Sequence, residues 1–509
     1  MAQETEVISL KTRWSKLDGE RTSVIDRAKA CAELTIPSLI TDVAHTETDD
    51  LATPYQSLGA RAVNNLASKL LLSLLPPNSP FFRLIPDKVA MLELGQQNAD
   101  AANQVNTQLA ELERAITSQI EREALRVPIF QALKLLVASG NALVYRSKEN
   151  GTKVFNLNSY VVKRSPEGNV QEIMTKETVS PLDLPEGMQK EQATDNKNVD
   201  LYTYVKWNGK TFDAWQEALE QEVPGSRGVF QKDTLPYIPL RWTAIHGEDY
   251  GRGLVEQYLG DLRSLEALQM SIIEATAASS KILFLVNPVG QTDMRKVVKA
   301  PSGSFVRGNA ADITTMQVQK GNDLQIAYNV SNDIQRRLSS AFLLNESARR
   351  DAERVTAEEV RLMAGELEDA LGGIYSILTQ ELQLPLVRLL LQSSNIKLPK
   401  GLVEPAIVTG VEALGRGHDY NKLVQFAQTL QQLLGPEIFA QYTNVAAVID
   451  QVGTSLGIET QSIIKSQEQM MQEQQAAQEQ QLMQQGLGAA AQAGGTEAGA
   501  LAGQQMMQG

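Results

Sequence analysis

Cysteine and histidine are scarce in this chain of 509 residues. It contains one cysteine, Cys31, and three histidines, His45, His246 and His418, which lie far apart in the sequence. A single cysteine excludes an intramolecular disulfide and a thiolate cluster for zinc. The histidines follow neither the spacing of a metal site nor that of a nucleophile elbow. We therefore expect no metal and no other cofactor.

Long apolar segments are also missing. The longest run, LASKLLLSLLPP near Leu70, is too short to cross a bilayer. The N-terminus is charged throughout and lacks the apolar core of a signal peptide. We expect a chain that contacts no membrane and works in a soluble, reducing compartment.

Signatures of catalysis are missing as well. No glycine-rich loop ends in Lys-Ser or Lys-Thr, which a P-loop requires. Carboxylates are plentiful, but no pair stands out as an acid and base couple. The sequence therefore predicts a protein that is not an enzyme.

The composition favours helices. Aromatic residues make up only 5% of the chain, while Ala, Leu and Gln are abundant. The net charge of -13 argues against a protein that grips nucleic acid over its whole surface. It does not exclude one that lets DNA pass without sticking. At this length we expect two or more structural regions.

Hydrophobic periodicity indicates an α+β fold that is mainly helical. Apolar residues recur at helical spacing in residues 6–33, 55–75 and 97–125. Pro128 opens a shorter helix, and Gly140 closes it. From 141 to about 240 the period changes to two, which predicts a small antiparallel insertion with an Asn-Gly hairpin turn near its end.

Helices return in the second half of the chain. One long helix follows Gly253, and a second carries an apolar stripe that ends near Ala341; a mixed segment with two strand-like pieces separates them. The stripe of the second helix consists of Ile326, Val330, Ile334, Leu338 and Ala341. A later helix, about 357–394, should bend at Gly372-Gly373 and Pro385. Several shorter helices are predicted over 402–465.

The turn HGEDYGRG, His246 to Gly253, is the least generic motif. Its three glycines predict a tightly folded loop that enters the long helix. A phosphate site at that helix N-terminus is conceivable, and phosphotransfer there is an enzyme hypothesis. A glycine-rich turn that only positions the helix is the favoured interpretation.

The stretch NESARRDAERVTAEEV, from Asn345, mixes both signs of charge. Glu346 with Arg350 and Arg349 with Glu353 are four residues apart, so it could be a salt-bridged surface helix. The alternative is a loop that presents three arginines to a polyanion, Arg349, Arg350 and Arg354. The last residues of the chain, 466–509, are rich in Gln and then in Gly and Ala, which predicts a flexible tail.

Several stretches resemble one family. GEDYGRGLVEQYLGDLRSLEALQ (247–269), RWSKLDGERTSVIDRAKACAELTIPSLI and YQSLGARAVNNLASKLLLSLLPP are similar to the turn-and-helix signature and the opening of the portal, or head-to-tail connector, of short-tailed bacteriophages of the autographivirus type. The resemblance covers nearly the whole chain, including the Gln- and Ala-rich C-terminus.

The resemblance implies a portal fold, assembled as a ring of identical chains, with twelve as the family's virion state. Its regions are a wing (1–250 with 357–395), two stem helices (251–281 and 325–344), a clip (282–324), a tunnel loop (345–356), a crown (396–465) and the tail (466–509). Such a ring conducts viral DNA at a capsid vertex during packaging and ejection, and it nucleates the procapsid. It is expected in the virion, and in the host cytoplasm during assembly.

The resemblance also suggests where contacts would be made. DNA would meet the tunnel loop at Arg349, Arg350 and Arg354, with Glu346, Asp351 and Glu353 limiting the grip. Channel or neighbour contacts would involve the stem residues Arg263, Glu266, Arg336 and Arg337. DNA or partner proteins would touch the basic clip residues Arg295, Lys296, Lys299 and Arg307, although a solvated face explains these four equally well.

The implied partners are other copies of the chain, double-stranded viral DNA bound without sequence preference, the terminase large subunit, the major capsid and scaffolding proteins, tail adaptor and tube proteins, and internal core proteins. The alternative from another class is a non-viral cytosolic scaffold or adaptor that binds protein helices through its Gln-rich tail and never meets DNA.

Overall fold

The computed structural model describes residues 9–41, 48–77, 81–85, 99–147, 151–185, 198–280, 283–316, 321–344, 365–393 without 368 and 372, 406–409, and a few isolated positions. The chain divides into two compact units, Met1–Leu414 and Gly415–Gly509. Nearly all described residues belong to the first. The segment 345–356, the tail 466–509 and most of 396–465 lie outside the described residues, so the expectations for them stay predictions.

Two helices open the chain where the sequence pattern predicts one: α1, Leu10–Glu20, and α2, Thr22–Glu33. The break falls at Arg21, which is buried. Its guanidinium pairs with Asp18 and donates to the carbonyl oxygen of Tyr160. Burying this one charge with its partners bends an amphipathic pattern that periodicity alone reads as continuous.

Three longer helices form the main core: α3, Leu58–Leu74, α4, Ala99–Arg122, and α5, Arg126–Ser139. The helix α5 ends at Gly140, whose φ of 80° is left-handed, as the sequence predicts. Its buried face packs against α3 and against the strand that follows.

The residues from 141 to 241 form antiparallel sheets, as the alternating pattern predicts. One sheet has the order β10-β2-β3. The other has the order β4-β5-β6-β7-β8, with β9 also paired to β7. Their strands are β2 Asn141–Ser147, β3 Gly151–Phe155, β4 Tyr160–Arg164, β5 Val170–Val179, β6 Val199–Trp207, β7 Phe212–Ala218, β8 Gln221–Glu222, β9 Gly228–Phe230 and β10 Tyr237–Arg241.

The Asn-Gly hairpin turn joins β6 to β7. Gly209 has a φ of 97°, and the side-chain oxygen of Asn208 accepts from the backbone N–H groups of Lys210 and Thr211. The helix α1 lies against this larger sheet, where Trp14 and its apolar neighbours make a separate small core with residues such as Met174 and Tyr204.

Two long antiparallel helices follow the glycine-rich turn, after the short helix α6, Leu254–Gln257. They are α7, Leu259–Ser279, and α9, Gly321–Ala341. The side-chain amide of Gln269 donates to Ser331 Oγ at 2.9 Å. Between them the chain makes an excursion, residues 283–316, built from the paired strands β11, Leu283–Val286, and β12, Ile313–Met316, and the short helix α8, Met294–Lys299.

The helical region after 365 is interrupted at Gly373, whose φ of 85° is left-handed, so the expected bend occurs there. The helix α10, Ile374–Leu378, runs into a π-helical turn, Thr379–Gln383, and then into α11, Leu384–Ser393. The widened turn stands just before Pro385, whose ring would clash with a carbonyl in a regular α-helix.

Strands far apart in the sequence also pair. The strand β1, Phe82–Ile85, is antiparallel to β13, Ala406–Thr409. The sequence pattern predicts helices from 402 onward, and these four residues are strand instead. Their partner lies more than three hundred residues earlier in the chain, so local periodicity could not reveal the pairing.

Candidate interaction surface on the long helices and the excursion

The glycine-rich turn packs tightly against the end of α5. A Cβ on Gly253 would lie 2.8 Å from the nitrogen of Gly140, and one on Gly251 would lie 2.8 Å from the oxygen of Gly140. The amide of Asn141 donates to the carbonyl oxygen of Gly251 at 2.8 Å and accepts from its N–H at 2.7 Å. Close chain packing therefore accounts for these glycines, which supports the structural interpretation of the motif.

A cleft of about 440 Å³ lies beside this turn, between α1, α2 and β4. Its charges are of both signs and pair with each other. Arg252 donates to Glu248 at 3.0 Å and to Glu256 at 2.9 Å, and these carboxylates raise the pKa of Arg252. Lys163 pairs with Asp249 at 3.0 Å. Because these cations already have carboxylate partners, the cleft offers little for a phosphate group.

Two of the four stem residues make ties within the chain. The carboxylate of Glu266 accepts from the backbone N–H groups of Tyr55 and Gln56 at 2.9 and 3.1 Å. Arg337 on α9 pairs with Asp261 on α7 at 3.1 Å. Glu266 thus fixes α7 to the segment before α3, and Arg337 fixes the two long helices to each other.

The other two stem residues face solvent. Arg336 has a side chain that is 83% exposed, and its closest carboxylate oxygen belongs to Asp333, one turn away at 3.9 Å. Arg263 on α7 is also exposed. These two guanidiniums are therefore accessible to a neighbouring chain or to a polyanion.

The apolar stripe of α9 is divided along its length. Ile334 and Leu338 are buried against the rest of the chain, whereas Ile326 is 63% and Val330 45% exposed. On α7, Met270 and Ile273 are exposed as well. Because Gln269 contacts Ser331, these four side chains lie at the same end of the helix pair, the end that leads into the excursion. We call Met270, Ile273, Ile326 and Val330 the apolar strip.

The excursion extends this uncovered apolar surface. Phe284, Leu285 and Val286 on β11 are all exposed. Consecutive residues of a strand point to opposite faces, so neither face of the β11–β12 pair is covered. A two-stranded sheet on its own is only marginally stable in water. The excursion is therefore built as a surface that needs a partner.

A buried carboxylate orders the excursion from inside. Asp312 Oδ2 accepts from the backbone N–H of Thr292 at 3.0 Å and from its hydroxyl at 2.7 Å. The backbone carbonyl of Asp312 accepts from the N–H of Asn287 at 2.9 Å. A Cβ on Gly290 would lie 2.6 Å from the same carboxylate, so this position needs glycine. The predicted clip cations Arg295, Lys296, Lys299 and Arg307 are exposed around this centre.

Comparison with known proteins identifies the family. The family described as "Bacteriophage head to tail connecting protein" matches residues 8–464. The chain is 42% identical to the "Portal protein" of Enterobacteria phage T3 over 513 residues, covering 97% of this chain and 94% of that one. It is 41% identical to the "Portal protein" of Escherichia phage T7, covering 90% and 88%. The chain belongs to this family of head-to-tail connecting proteins.

Among solved structures, one titled "Virion of native gene transfer agent (GTA) particle" has a TM-score of 0.34 and 11% identity, covering 79% of this chain and 90% of that one. This likeness is too weak to support a conclusion. The assignment depends on the family match and on the phage relatives.

Family membership confirms the connector interpretation and does not support a cytosolic scaffold. The protein is a structural component of the virion, at the junction of head and tail. Within the described residues, no helix has the length and apolar character needed to cross a membrane. The six tunnel-loop residues, Glu346, Arg349, Arg350, Asp351, Glu353 and Arg354, lie outside the described residues.

Proposed function

We propose that copies of this connector close into a ring around an axial channel, through which the viral DNA enters the capsid during packaging and leaves it during ejection. The observation that carries this proposal is the apolar strip together with the uncovered strand β11. Monomeric proteins rarely leave large contiguous apolar surfaces in water, and such surfaces mark interfaces.

The geometry of a ring explains the division of the α9 stripe. In a closed ring of identical chains, one face of each chain meets a different face of the next. The half of the stripe with Ile334 and Leu338 packs inside its own chain. The half with Ile326 and Val330 is then free to pack against the neighbour. The family resemblance implies twelve copies in the virion.

The regions of the ring follow the family plan. The wing is 1–250 with 357–395, the stem 251–281 and 325–344, the clip 282–324, the tunnel loop 345–356 and the crown 396–465. In this arrangement Glu266 and Arg337 hold the stem in shape. Arg263 and Arg336 are the stem cations that reach the neighbour or the channel, because they are exposed.

DNA contacts in this channel are non-specific. A ring of tunnel loops places Arg349, Arg350 and Arg354 of every copy near the duplex, while Glu346, Asp351 and Glu353 limit the grip. Contacts from arginine to phosphate carry no sequence information and weaken with salt. The acidic balance of the whole chain repels phosphate elsewhere, which allows the duplex to slide.

The ring docks the other parts of the particle. Its partners are the terminase large subunit during packaging, the major capsid and scaffolding proteins during procapsid nucleation, internal core proteins, and tail adaptor and tube proteins after filling. Assembly takes place in the host cytoplasm. The chain acts mechanically and carries no catalytic site in this proposal.

Electron microscopy of the purified full-length protein tests the ring. We expect closed particles with a central hole. Changing Ile326→Asp together with Val330→Asp should break the rings into smaller species, since it charges the face that the neighbour covers. The matched control is Val229→Asp, an exposed apolar residue on β9 of the wing, which should leave rings intact. Wild-type protein that gives only small asymmetric particles would contradict the proposal.

A further inference from the structure

The excursion carries a second apolar surface at its tip. Phe305 is fully exposed, at 106% of the reference accessibility, so its ring contacts almost nothing in its own chain. Val298 on α8 and Val289 are also highly exposed. These three residues belong neither to the apolar strip nor to β11. We call them the tip.

The loop that carries Phe305 is held at both ends. Before it, a turn is closed by the N–H and the hydroxyl of Ser304, which both donate to the carbonyl oxygen of Pro301 at 3.2 and 2.7 Å. Gly303 supplies the left-handed φ of 86° in this turn. After it, the N–H of Asn309 donates to Thr292 Oγ1 at 2.8 Å. The aromatic ring is therefore presented from an ordered loop, and preorganisation of this kind lowers the entropic cost of binding.

The charge around the tip is basic, against the balance of the whole chain. Residues 283–316 contain four cations, all exposed, and two carboxylates. One carboxylate, Asp312, is buried and engaged with Thr292. Only Asp293 is left at the surface of this segment to oppose four positive charges. The whole chain has a net charge of -13, so the tip is a local basic patch on an acidic protein.

We propose that the tip docks an acidic tail protein, which presents an apolar pocket rimmed by Asp and Glu side chains. Phe305 enters the pocket, while Arg295, Lys296, Lys299 and Arg307 face the acidic rim. The proposal rests on the proposed function in that a connector must hold a tail component. Exposed aromatic anchors surrounded by a polar rim are the usual source of binding energy at protein interfaces.

The apolar residues decide between a protein and DNA. Phosphates would satisfy the four cations, but a valine or phenylalanine side chain gains nothing from a phosphate backbone. In an intact duplex the faces of the bases are stacked and closed to an inserted ring, except where the helix is kinked at a cost of a few kcal/mol per step. A protein pocket accommodates Phe305, Val298 and the basic rim together.

The test uses full-length rings and purified tails of the same phage, mixed and separated by sedimentation. Phe305→Ser should weaken the association at least tenfold while the rings stay closed in electron micrographs. Val229→Ser, on the wing sheet, is the control and should bind tails like wild type. Lys299→Glu should weaken binding and Lys16→Glu, exposed on α1, should not. Added salt should weaken wild-type binding, since part of the attraction is between charges.

Three outcomes overturn the proposal. If Phe305→Ser binds tails as wild type does, the tip is not the anchor. If this variant disperses the rings, the tip is a contact between copies, and the proposed ring survives without this docking site. If it loses affinity for a duplex DNA fragment and keeps its affinity for tails, the tip is a nucleic-acid contact. Failure of the wild type to form rings would refute the proposed function instead, so the two failures are distinguishable.

Discussion

Glu381, on the π-helical turn, is the residue whose replacement tests the packing of the helical region after 365. Its carboxylate accepts from the guanidinium of Arg241 at 3.1 Å and from the backbone N–H of the same residue at 3.2 Å. Arg164 lies close by. Burial lowers the pKa of Arg164 to about 10, the charge of Arg241 lowers it further, and Glu381 opposes both effects. One carboxylate therefore offsets two largely buried guanidiniums.

Changing Glu381→Gln keeps the shape of the side chain and removes its charge. Breaking a buried ion pair by removing one partner costs about 3–5 kcal/mol. Because the Glu381 side chain is 26% exposed, we take a value at or below the lower end, about 2–3 kcal/mol. At about 1.4 kcal/mol per factor of ten, this raises the population of the open form roughly 30- to 100-fold.

Hydrogen exchange of the full-length protein measures this opening. Amides of α10 and α11 should exchange roughly 30- to 100-fold faster in the variant, because local opening controls their exchange. The control is Glu222→Gln, which removes an exposed pair with Arg227 at the sheet edge and should change little. Combining Glu381→Leu with Arg241→Met should recover part of the protection, since both charges are then gone. If Glu381→Gln exchanges like the control, the pair is solvated and the reasoning is wrong.

Three further predictions concern other parts of the chain. Gly253→Ala should lower the midpoint of thermal unfolding, by about 1–3 kcal/mol of overpacking, because its Cβ would press on the backbone at Gly140. The Cys31 thiol is buried, which raises its pKa to about 12, so it should react with a thiol reagent at pH 8 only after unfolding; rapid labelling of the native protein would contradict this. Arg349→Ala with Arg350→Ala should leave rings intact and impair DNA packaging or retention in a complementation assay, and loss of rings would instead place these residues at an interface.

Local patterns were enough to predict most elements of the fold. Gly140 ends a helix with the left-handed φ that its position suggests, and the Asn208-Gly209 turn closes a hairpin. The breaks that periodicity missed have non-local causes. The chain bends at Arg21 because its guanidinium bonds to a carbonyl 139 residues away in the sequence. The pairing of β1 with β13 depends in the same way on a distant partner.

The candidate surface could be predicted in composition but not in detail. The apolar stripe of α9 is evident from its spacing, yet spacing does not show that Ile334 is covered by its own chain and Ile326 is not. Likewise, Glu266 looks like any solvated helix carboxylate in the sequence. Its role depends on two backbone N–H groups, of Tyr55 and Gln56, which lie about two hundred residues earlier in the chain.

The distribution of arginines connects the acidic net charge to the proposed channel. Arg21, Arg146 and Arg241 are buried and paired with Asp18, Glu123 and Glu381. These cations hold the fold together and are not available to DNA. Cations that DNA could reach include Arg263 and Arg336 on the long helices and those of the excursion. A duplex would therefore meet an acidic protein with few accessible basic positions, so each contact is weak, and weak, salt-sensitive contacts let DNA slide without being held.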